Sequence, residues 1–479
     1  MLSFSAEKHQ KMLKFIDEVL GKFRSCFSRE RTFGWFLIIV IGIIIRSDHL
    51  GVTSVMRDLW LGCDYMTLMG FFRSTAWGLD TLMRQWCITV SHNDHLEIVD
   101  GRNIFLGDGM KQPKEGRKMP GVKKLHQESE NSGKPTYIFG NMFGSIGVLA
   151  SSRGKNFCIP LAMQIQDGVK TILGWGKEPE RQGSHVEEMI QLAITTKNNM
   201  GKDGILLLDR YFLTKKALEK ATEGEIHIVT MAKRGSVGYE EPVNVIGARG
   251  RPRKKGKSVK LSLLFETHGH LFQEKEIEMY GKLTAVQYYC IDLLWGTTLY
   301  QKLRFVLSCY EGRQSILVST DLTLNPVTII QLYSKRFNIE TMFRELHQVV
   351  YAFSYRFWSK FMPKLKRTRK KNDPDPIDPI TEKKERERIR LALRATEMYV
   401  FCCCVAMGLL QMISLRFSNT AEMEKRRYQR TYTTGPWSES AVADYLRKNI
   451  FRFMTKHPNL AITRFINRHQ IDDFELDSA

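Results

Sequence analysis

Three acidic residues, Asp108, Asp209 and Glu340, have the types and positions that could carry out chemistry. Asp108 and Asp209 each follow a short apolar run, Ile-Phe-Leu-Gly and Ile-Leu-Leu-Leu, which is typical of a buried strand. An acid at the end of a strand is held on rigid backbone at the edge of a sheet, where ligands bind. Either aspartate alone could instead cap the turn that follows its strand.

The third acid, Glu340, lies in a segment that the pattern predicts to be one long helix from Asn325-Pro326 to about Val350. Helical spacing puts five residues on one stripe: Tyr333, Arg336, Glu340, Arg344 and His347. A separate apolar stripe faces the core: Leu332, Ile339, Phe343, Leu346 and Val350. The Glu340 stripe could be a solvated face of ion pairs, but a tyrosine among cations also suits contact with a phosphate backbone.

Carboxylates from two strands and a helix could together hold two divalent cations. Mg²⁺ prefers such oxygen ligands, and we expect Mn²⁺ to substitute for it. Two bound ions stabilise the attacking and leaving oxygens of an in-line phosphoryl displacement. Asp321 is a rival strand-end acid, but it directly precedes the predicted helix, so we interpret it as a loop or capping residue.

The net charge of +21 and the pI of about 9.5 predict a polyanionic partner, either nucleic acid or an anionic membrane. The apolar runs at residues 33–45 and 398–410 are shorter than the roughly 20 residues of a spanning helix, so we expect no membrane partner. We also expect no signal peptide, because residues 1–5 carry no basic group. A hydrophobic fraction of 43% excludes a chain that is disordered throughout.

A basic loop at residues 249–255 contains Arg251, Arg253 and Lys254. Its Arg-Gly-Arg-Pro start resembles the short hook that enters narrow A·T minor grooves. General phosphate contact and a merely solvated basic loop are the alternatives. We predict that these three residues bind DNA.

The elements that must position these residues follow a mixed α/β pattern. After a helical first hundred residues, the chain predicts three strands, a helix, a strand, a helix and a strand. Ser184 and Glu187 form a capping-box pattern at the start of the first of these helices. Glycines and strand-like pieces at 259–266 and 303–310 then mark residues 237–317 as a β-rich insertion. We divide the chain into five segments: a helical DNA-binding region at 1–100, a first core part at 101–236, the insertion at 237–317, a second core part at 318–362, and a charged linker with a helical region at 363–479.

The spacing Tyr333-x2-Arg336-x3-Glu340-x6-His347 resembles the Y-(2)-R-(3)-E-(6)-K signature of bacterial insertion-sequence transposases of the DDE type, family four. Residues 209–212 and 106–109 are similar to the blocks around that family's two aspartates. The resemblance extends over about residues 30–350. The signature's final lysine is replaced by His347.

The resemblance implies a ribonuclease-H-like mixed sheet core with the β-rich insertion between Asp209 and Glu340. It implies DNA cleavage and strand transfer at terminal inverted repeats, with Asp108, Asp209 and Glu340 as metal ligands. Tyr333, Arg336 and the residue at 347 would contact transposon-end DNA. Double-stranded DNA would be the partner of a homodimer in the synaptic complex, in the bacterial cytoplasm at the nucleoid.

Two other functions remain open from the sequence alone. The three acids could serve a metal-dependent nuclease without strand transfer. A decayed, non-catalytic protein that still binds inverted repeats is the other alternative, and the histidine at 347 leaves room for it.

Overall fold

The computed structural model describes residues 2–49, 51–127, 133, 135–176, 181, 183–243, 252–369, 373–417 and 435–471. Helices dominate up to residue 91: α1 (Leu2–Gly21), α2 (Glu30–Ile45), α3 (Val52–Asp58), α4 (Tyr65–Phe72) and α5 (Leu79–Ser91). The apolar run of α2 is almost completely buried, as expected for a helix that is hydrophobic all round. Asp64 begins α4 by accepting a hydrogen bond from the Met66 backbone N–H.

Residues 98–231 comprise β1 (Ile98–Val99), β2 (Arg102–Pro113), β3 (Lys123–His126), β4 (Tyr137–Ser152), β5 (Lys155–Ile165), α6 (Lys170–Gly174), α7 (His185–Met200), β6 (Gly204–Leu207), α8 (Lys215–Glu223) and β7 (His227–Met231). The predicted order is present from α7 to β7, but four strands and the short helix α6 precede α7 from residue 102 onward, where the sequence predicts three strands. In the sheet, β5, β4 and β2 are antiparallel neighbours, and β2, β6 and β7 run parallel. The order β5-β4-β2-β6-β7 therefore puts the Asp108 and Asp209 strands side by side.

The strands that follow extend this same sheet. They are β8 (Val237–Tyr239), β9 (Ser258–Lys260), β10 (Gln273–Met279), β11 (Lys282–Trp295), β12 (Gln301–Tyr310) and β13 (Arg313–Ser319), with the short helix α9 (Leu264–Thr267) after β9. β13 pairs antiparallel with β7, so the sheet continues from β7 through β13, β12 and β11. The strand predicted at 259–266 is wrong, because most of that segment is helical. Across the described residues, 13 mostly antiparallel strands form one sheet, which confirms the mixed α/β class.

The remaining helices cover and extend the sheet: α10 (Pro326–Lys335), α11 (Asn338–Gln348), α12 (Lys383–Phe417), α13 (Glu439–Lys456) and α14 (Ala461–Asn467). α12 begins within the stretch predicted to be a linker, because its charged first turns join an apolar run that packs against β5 and α2. That helix is long and apolar enough to cross a membrane, yet its apolar stretch is fully buried inside the protein. The consecutive residues Cys402, Cys403 and Cys404 are buried there as free thiols.

Candidate active site

The two aspartates come together because their strands are parallel neighbours. β2 and β6 pair with Leu106 opposite Leu207. Asp108 and Asp209 each lie two residues beyond this last pair, so both acids directly follow the paired segments of adjacent strands. The strand of Asp108 does not end at residue 107, as the sequence predicts, but continues to Pro113 because it stays paired with β4. Asp108 is therefore held in the middle of a long strand, opposite Ser145.

The Asp108 carboxyl group lies in a negatively charged and partly buried environment. Burial raises the pKa of Asp108 to about 6, although Arg336 and the Gly109 backbone N–H act to lower it. The charges of Asp209 and Glu340 raise this pKa further. Both acids therefore lie close enough to Asp108 for their charges to change its pKa.

A single guanidinium group joins the strand acid to the helix acid. Arg336 lies with Nη1 3.3 Å from Asp108 Oδ2, and its Nη2 donates a hydrogen bond to Glu340 Oε1 at 2.7 Å. The Arg336 side chain is only 15% exposed. Arg336, predicted from the sequence as a DNA contact, is thus an internal counter-ion of two of the three carboxylates in this structure.

The helix that carries Glu340 is interrupted, so the prediction of one continuous helix to Val350 is wrong. α10 ends at Lys335 and α11 starts at Asn338. Between them the chain tightens: the Arg336 N–H bonds to the Tyr333 carbonyl, and the Glu340 N–H bonds to the Phe337 carbonyl, each three residues back. No glycine or proline marks this point, so the sequence carried no local signal for the break.

The other residues of the predicted stripe have different surroundings. Burial raises the pKa of Tyr333 to about 12 against the effect of Arg336, and the nearby charge of Asp209 adds to the rise. Arg344 is exposed and pairs with Glu345 at 2.8 Å, not with Glu340. His347 is exposed at the end of α11, where it lines a cleft of about 750 Å³.

The basic loop is only partly described. Arg253 and Lys254 are exposed just before β9, and Arg251 lies outside the described residues. The next lysine, Lys255, lies over the ring of Tyr239 at 4.1 Å. Neither Arg253 nor Lys254 is placed against the three carboxylates by a contact among the described residues.

The rival acid Asp321 has the surroundings of a structural residue. Arg102 pairs with it at 2.7 Å, and the Thr323 backbone N–H and hydroxyl donate to it at 2.8 and 2.7 Å. Burial acts to raise the pKa of Asp321, but these hydrogen bonds outweigh burial and lower the pKa to about 2. Asp321 caps the loop ahead of α10, as predicted.

Two neighbours of the site were not identified from the sequence. The imidazole of His185 packs 5.6 Å from the ring of Phe212 and lies over Gly109, where a Cβ would come within 3.0 Å of its Nε2. Tyr280, at the turn between β10 and β11, is close enough to Tyr333 to affect its titration. A weak signal existed for His185, because it directly follows the N-cap residue Ser184.

We tested whether these residues suit a divalent cation. Within the described part of the chain, no three His, Cys, Asp or Glu side chains converge as a ready metal-binding group. The donor set nevertheless suits a hard cation, because it consists of carboxylate oxygens on rigid elements. Burial is the main cause of the raised pKa of Asp108, and the charges of Asp209 and Glu340 add to the rise. Arg336 now supplies part of the positive charge that such an ion would bring.

Comparison with known families adds an independent observation. Residues 175–361 match the family model described as Transposase DDE domain. The matched span includes Asp209 and Glu340 and the strands between them, whereas Asp108 precedes it. The match supports a transposase-type function. The chain has no significant match among curated proteins.

Proposed function

We propose that this protein is a DDE transposase of the insertion-sequence type, family four, which cleaves DNA and transfers strands at terminal inverted repeats. The observation that carries the proposal is that Arg336 pairs with both Asp108 and Glu340, while the charges of Asp209 and Glu340 both act on Asp108. The transposase domain match over residues 175–361 supports it.

We propose that the catalytic core of this enzyme has a ribonuclease-H-like fold. Support comes from the strand order β5-β4-β2-β6-β7, with three antiparallel strands followed by two parallel ones. Residues 101–236 and 318–362 form this core, and 237–317 are its insertion. Residues 1–100 are the DNA-binding region, and 363–479 are the linker and helical C-terminal region.

Asp108, Asp209 and Glu340 are the proposed ligands of two Mg²⁺ ions, for which Mn²⁺ substitutes. When bound, such ions stabilise negative charge on the scissile phosphate and activate the attacking oxygen. The protein's part is positional: the paired strands fix Asp108 and Asp209, while α11 carries Glu340. Arg336 balances the charges of Asp108 and Glu340. A bound cation would take over that role, and the Arg336 guanidinium could then bind a DNA phosphate.

We assign DNA contact to side chains around this centre. The partly buried Tyr333 and the exposed Arg344 and His347 bind the backbone of the transposon end. The basic loop with Arg251, Arg253 and Lys254 binds further along the duplex. We propose a homodimer in the synaptic complex, acting on DNA at the bacterial nucleoid without a membrane partner. The net charge of +21 supports a polyanionic substrate.

The test is cleavage of DNA carrying the element's own inverted repeats, with Mg²⁺ present. Asp209→Asn should reduce cleavage to below about one hundredth of the wild-type rate, since a lost metal ligand removes several kcal/mol of charge stabilisation. Asp203→Asn is the matched control, because Asp203 is an exposed aspartate just before the opposite end of β6. Binding to the repeats should survive both substitutions. Equal activity of the two variants would overturn the catalytic assignment.

The same assay separates the two alternatives. Cleavage without joined products would favour a metal-dependent nuclease that lacks strand transfer. Binding to the repeats without any cleavage would favour a non-catalytic protein, for which the internal pairing of Arg336 with Asp108 and Glu340 is the supporting observation.

A further inference from the structure

A second cleft, of about 580 Å³, opens between α4, the segment after α11 and the start of α12. None of the three carboxylates lines it. Among the described residues its lining contains no acidic side chain and five cationic ones: Arg73, Arg356, Lys360, Lys384 and Arg388. The five positive charges repel one another, and a bound anion would offset that repulsion.

Most of these cations have no partner of opposite charge. Arg73, Lys360, Lys384 and Arg388 are exposed and form no ion pair within the described ranges. Arg356 lies 4.0 Å from Glu115 at the far rim, and both side chains there are mostly exposed. The cleft therefore carries uncompensated positive charge.

The same cleft has a rigid aromatic floor and one exposed ring. The hydroxyl groups of Tyr65 and Tyr355 are hydrogen bonded, and the ring of Phe357 packs 4.6 Å from that of Tyr355. Phe357 is buried, whereas its neighbour Trp358 is 60% exposed and lines the cleft. An exposed indole beside several cations is suited to stacking on a nucleobase.

The position of the cleft connects it to the candidate active site. Arg356 lines both this cleft and the 750 Å³ cleft that contains His347. His347 lies in the last turn of α11, the helix that carries Glu340. A cationic surface thus leads from the site helix to Trp358.

We propose that this cleft binds an unpaired stretch of DNA, with phosphates on Arg73 and Arg388 and a base stacked on Trp358. A duplex hides its bases within its own stack, so it has no free ring to offer to an indole. The inference rests on the proposed function in so far as the unpaired strand would come from the processed DNA end. It assigns a binding site for that strand outside the catalytic centre.

Binding of the full chain to labelled oligothymidylate and to a duplex of equal length, with EDTA present, tests the base contact. Trp358→Ala should weaken single-strand binding by about 5- to 100-fold, the effect of one lost stacking contact, and leave duplex binding nearly unchanged. Trp358→Phe retains an aromatic face and should keep most of the affinity. Trp60→Ala is the control, because Trp60 is also 60% exposed but lies after α3, outside the cleft lining.

The phosphate contacts are tested by the salt dependence of the same binding. Arg73→Gln combined with Arg388→Gln should reduce the single-strand log–log slope by about 1.4, since each lost phosphate contact removes about 0.7. Arg452→Gln with Lys456→Gln, on the exposed face of α13, should leave it unchanged.

The inference is overturned if Trp358→Ala binds oligothymidylate as tightly as Trp60→Ala does, or if Trp358→Ala loses as much affinity for the duplex as for the single strand. It is also overturned if the protein with Arg73→Gln and Arg388→Gln keeps the wild-type salt slope. These readouts need no inverted repeat, metal or cleavage. Failure of the transposase proposal in the Asp209→Asn assay is therefore distinguishable from failure of this one.

Discussion

The partly buried Asp108 and the buried Asp321 have opposite electrostatic surroundings. Burial dominates at Asp108, whose pKa rises to about 6 even though Arg336 lies 3.3 Å away. Hydrogen bonds dominate at Asp321, whose pKa falls to about 2. A carboxylate that lacks sufficient positive charge is suited to gain a cation, whereas one that is fully bonded stabilises the fold. The contrast favours Asp108 and disfavours Asp321 as a metal ligand.

We expect Asp321→Asn to destabilise the protein by about 2 kcal/mol at pH 7 while cleavage stays close to wild type. The folded pKa of Asp321, about 2, lies below its ordinary value of 3.8, so the stabilisation is complete above about pH 4. It disappears as the pH falls towards 2. Urea unfolding at pH 7 and at pH 3 measures the difference, which should shrink at the lower pH. Loss of cleavage with unchanged stability would identify Asp321 as catalytic instead.

The histidine at position 347 allows a second test at this scale. Imidazole ordinarily loses its charge near pH 6.5, whereas lysine keeps it. If His347 contacts a DNA phosphate, affinity for the repeats should fall by up to about fivefold from pH 6 to pH 8. His347→Lys should remove most of that fall, and His270→Lys, at another exposed histidine, should not. Superimposable pH profiles for wild type and His347→Lys would exclude the contact.

At the scale of elements, cap residues set where the helices of the site begin. Ser184 and Glu187 form a reciprocal capping box at the start of α7, and Asn325 caps α10 ahead of Pro326. These signals are local, and the sequence predicts both helix starts correctly. The break between α10 and α11 has no such signal, because it depends on how each helix packs.

The first turn of α7 also carries Glu188, which is 6% exposed and has one unbonded carboxylate oxygen. Burial raises the pKa of Glu188 to about 7, although Arg181 and Lys170 act against the rise. Because the folded pKa exceeds the ordinary 4.5, the ionised group costs stability above about pH 7, and the cost disappears towards pH 4.5. Glu188→Gln should therefore stabilise the protein by about 1–3 kcal/mol at pH 8 and have little effect near pH 4.5.

Urea unfolding at the two pH values measures this effect. The neighbouring Glu187→Gln is a control of opposite sign. Hydrogen bonds from Ser184 and Lys216 lower the pKa of Glu187 to about 2, so its loss should destabilise the protein at pH 8. A Glu188→Gln protein that is less stable than wild type at pH 8 would contradict the expectation.

At the scale of the whole molecule, the strands of residues 102–231 and those of residues 237–319 share one sheet. β13 pairs with β7 and leads through Asp321 to α10, which packs against β13, β12 and β7. The next helix, α11, carries Glu340 and packs against β2, the strand of Asp108. The chain's charge of +21 surrounds this body with a field that attracts polyanions.

That field leads to a salt-dependence prediction. Replacing Arg251, Arg253 and Lys254 together with glutamine should flatten the log–log salt slope of inverted-repeat binding by up to about three, since each duplex phosphate contact contributes about 0.9. Fluorescence anisotropy over a salt series measures the slope. The Arg452→Gln, Lys456→Gln protein should keep the wild-type slope. If the loop variant keeps it too, the loop does not contact DNA.

The sequence alone determined the features that depend on near neighbours. Apolar runs predicted the order of elements from α7 to β7, although not β3 or α6. Capping residues predicted the start of α7, and the apolar run before Asp209 predicted the buried strand β6. These inferences succeed because backbone conformation and capping hydrogen bonds form within a few residues of each other.

Only the tertiary structure decided which of these residues meet. The parallel pairing of β2 with β6 makes the strands before Asp108 and Asp209 neighbours, and Arg336 reaches Asp108 across 228 positions of the chain. The Arg102–Asp321 pair and the cleft around Trp358 are equally long-range. Sequence spacing could not reveal these contacts, because the packing of the whole sheet against its helices determines which side chains share a buried environment and which charges compensate one another.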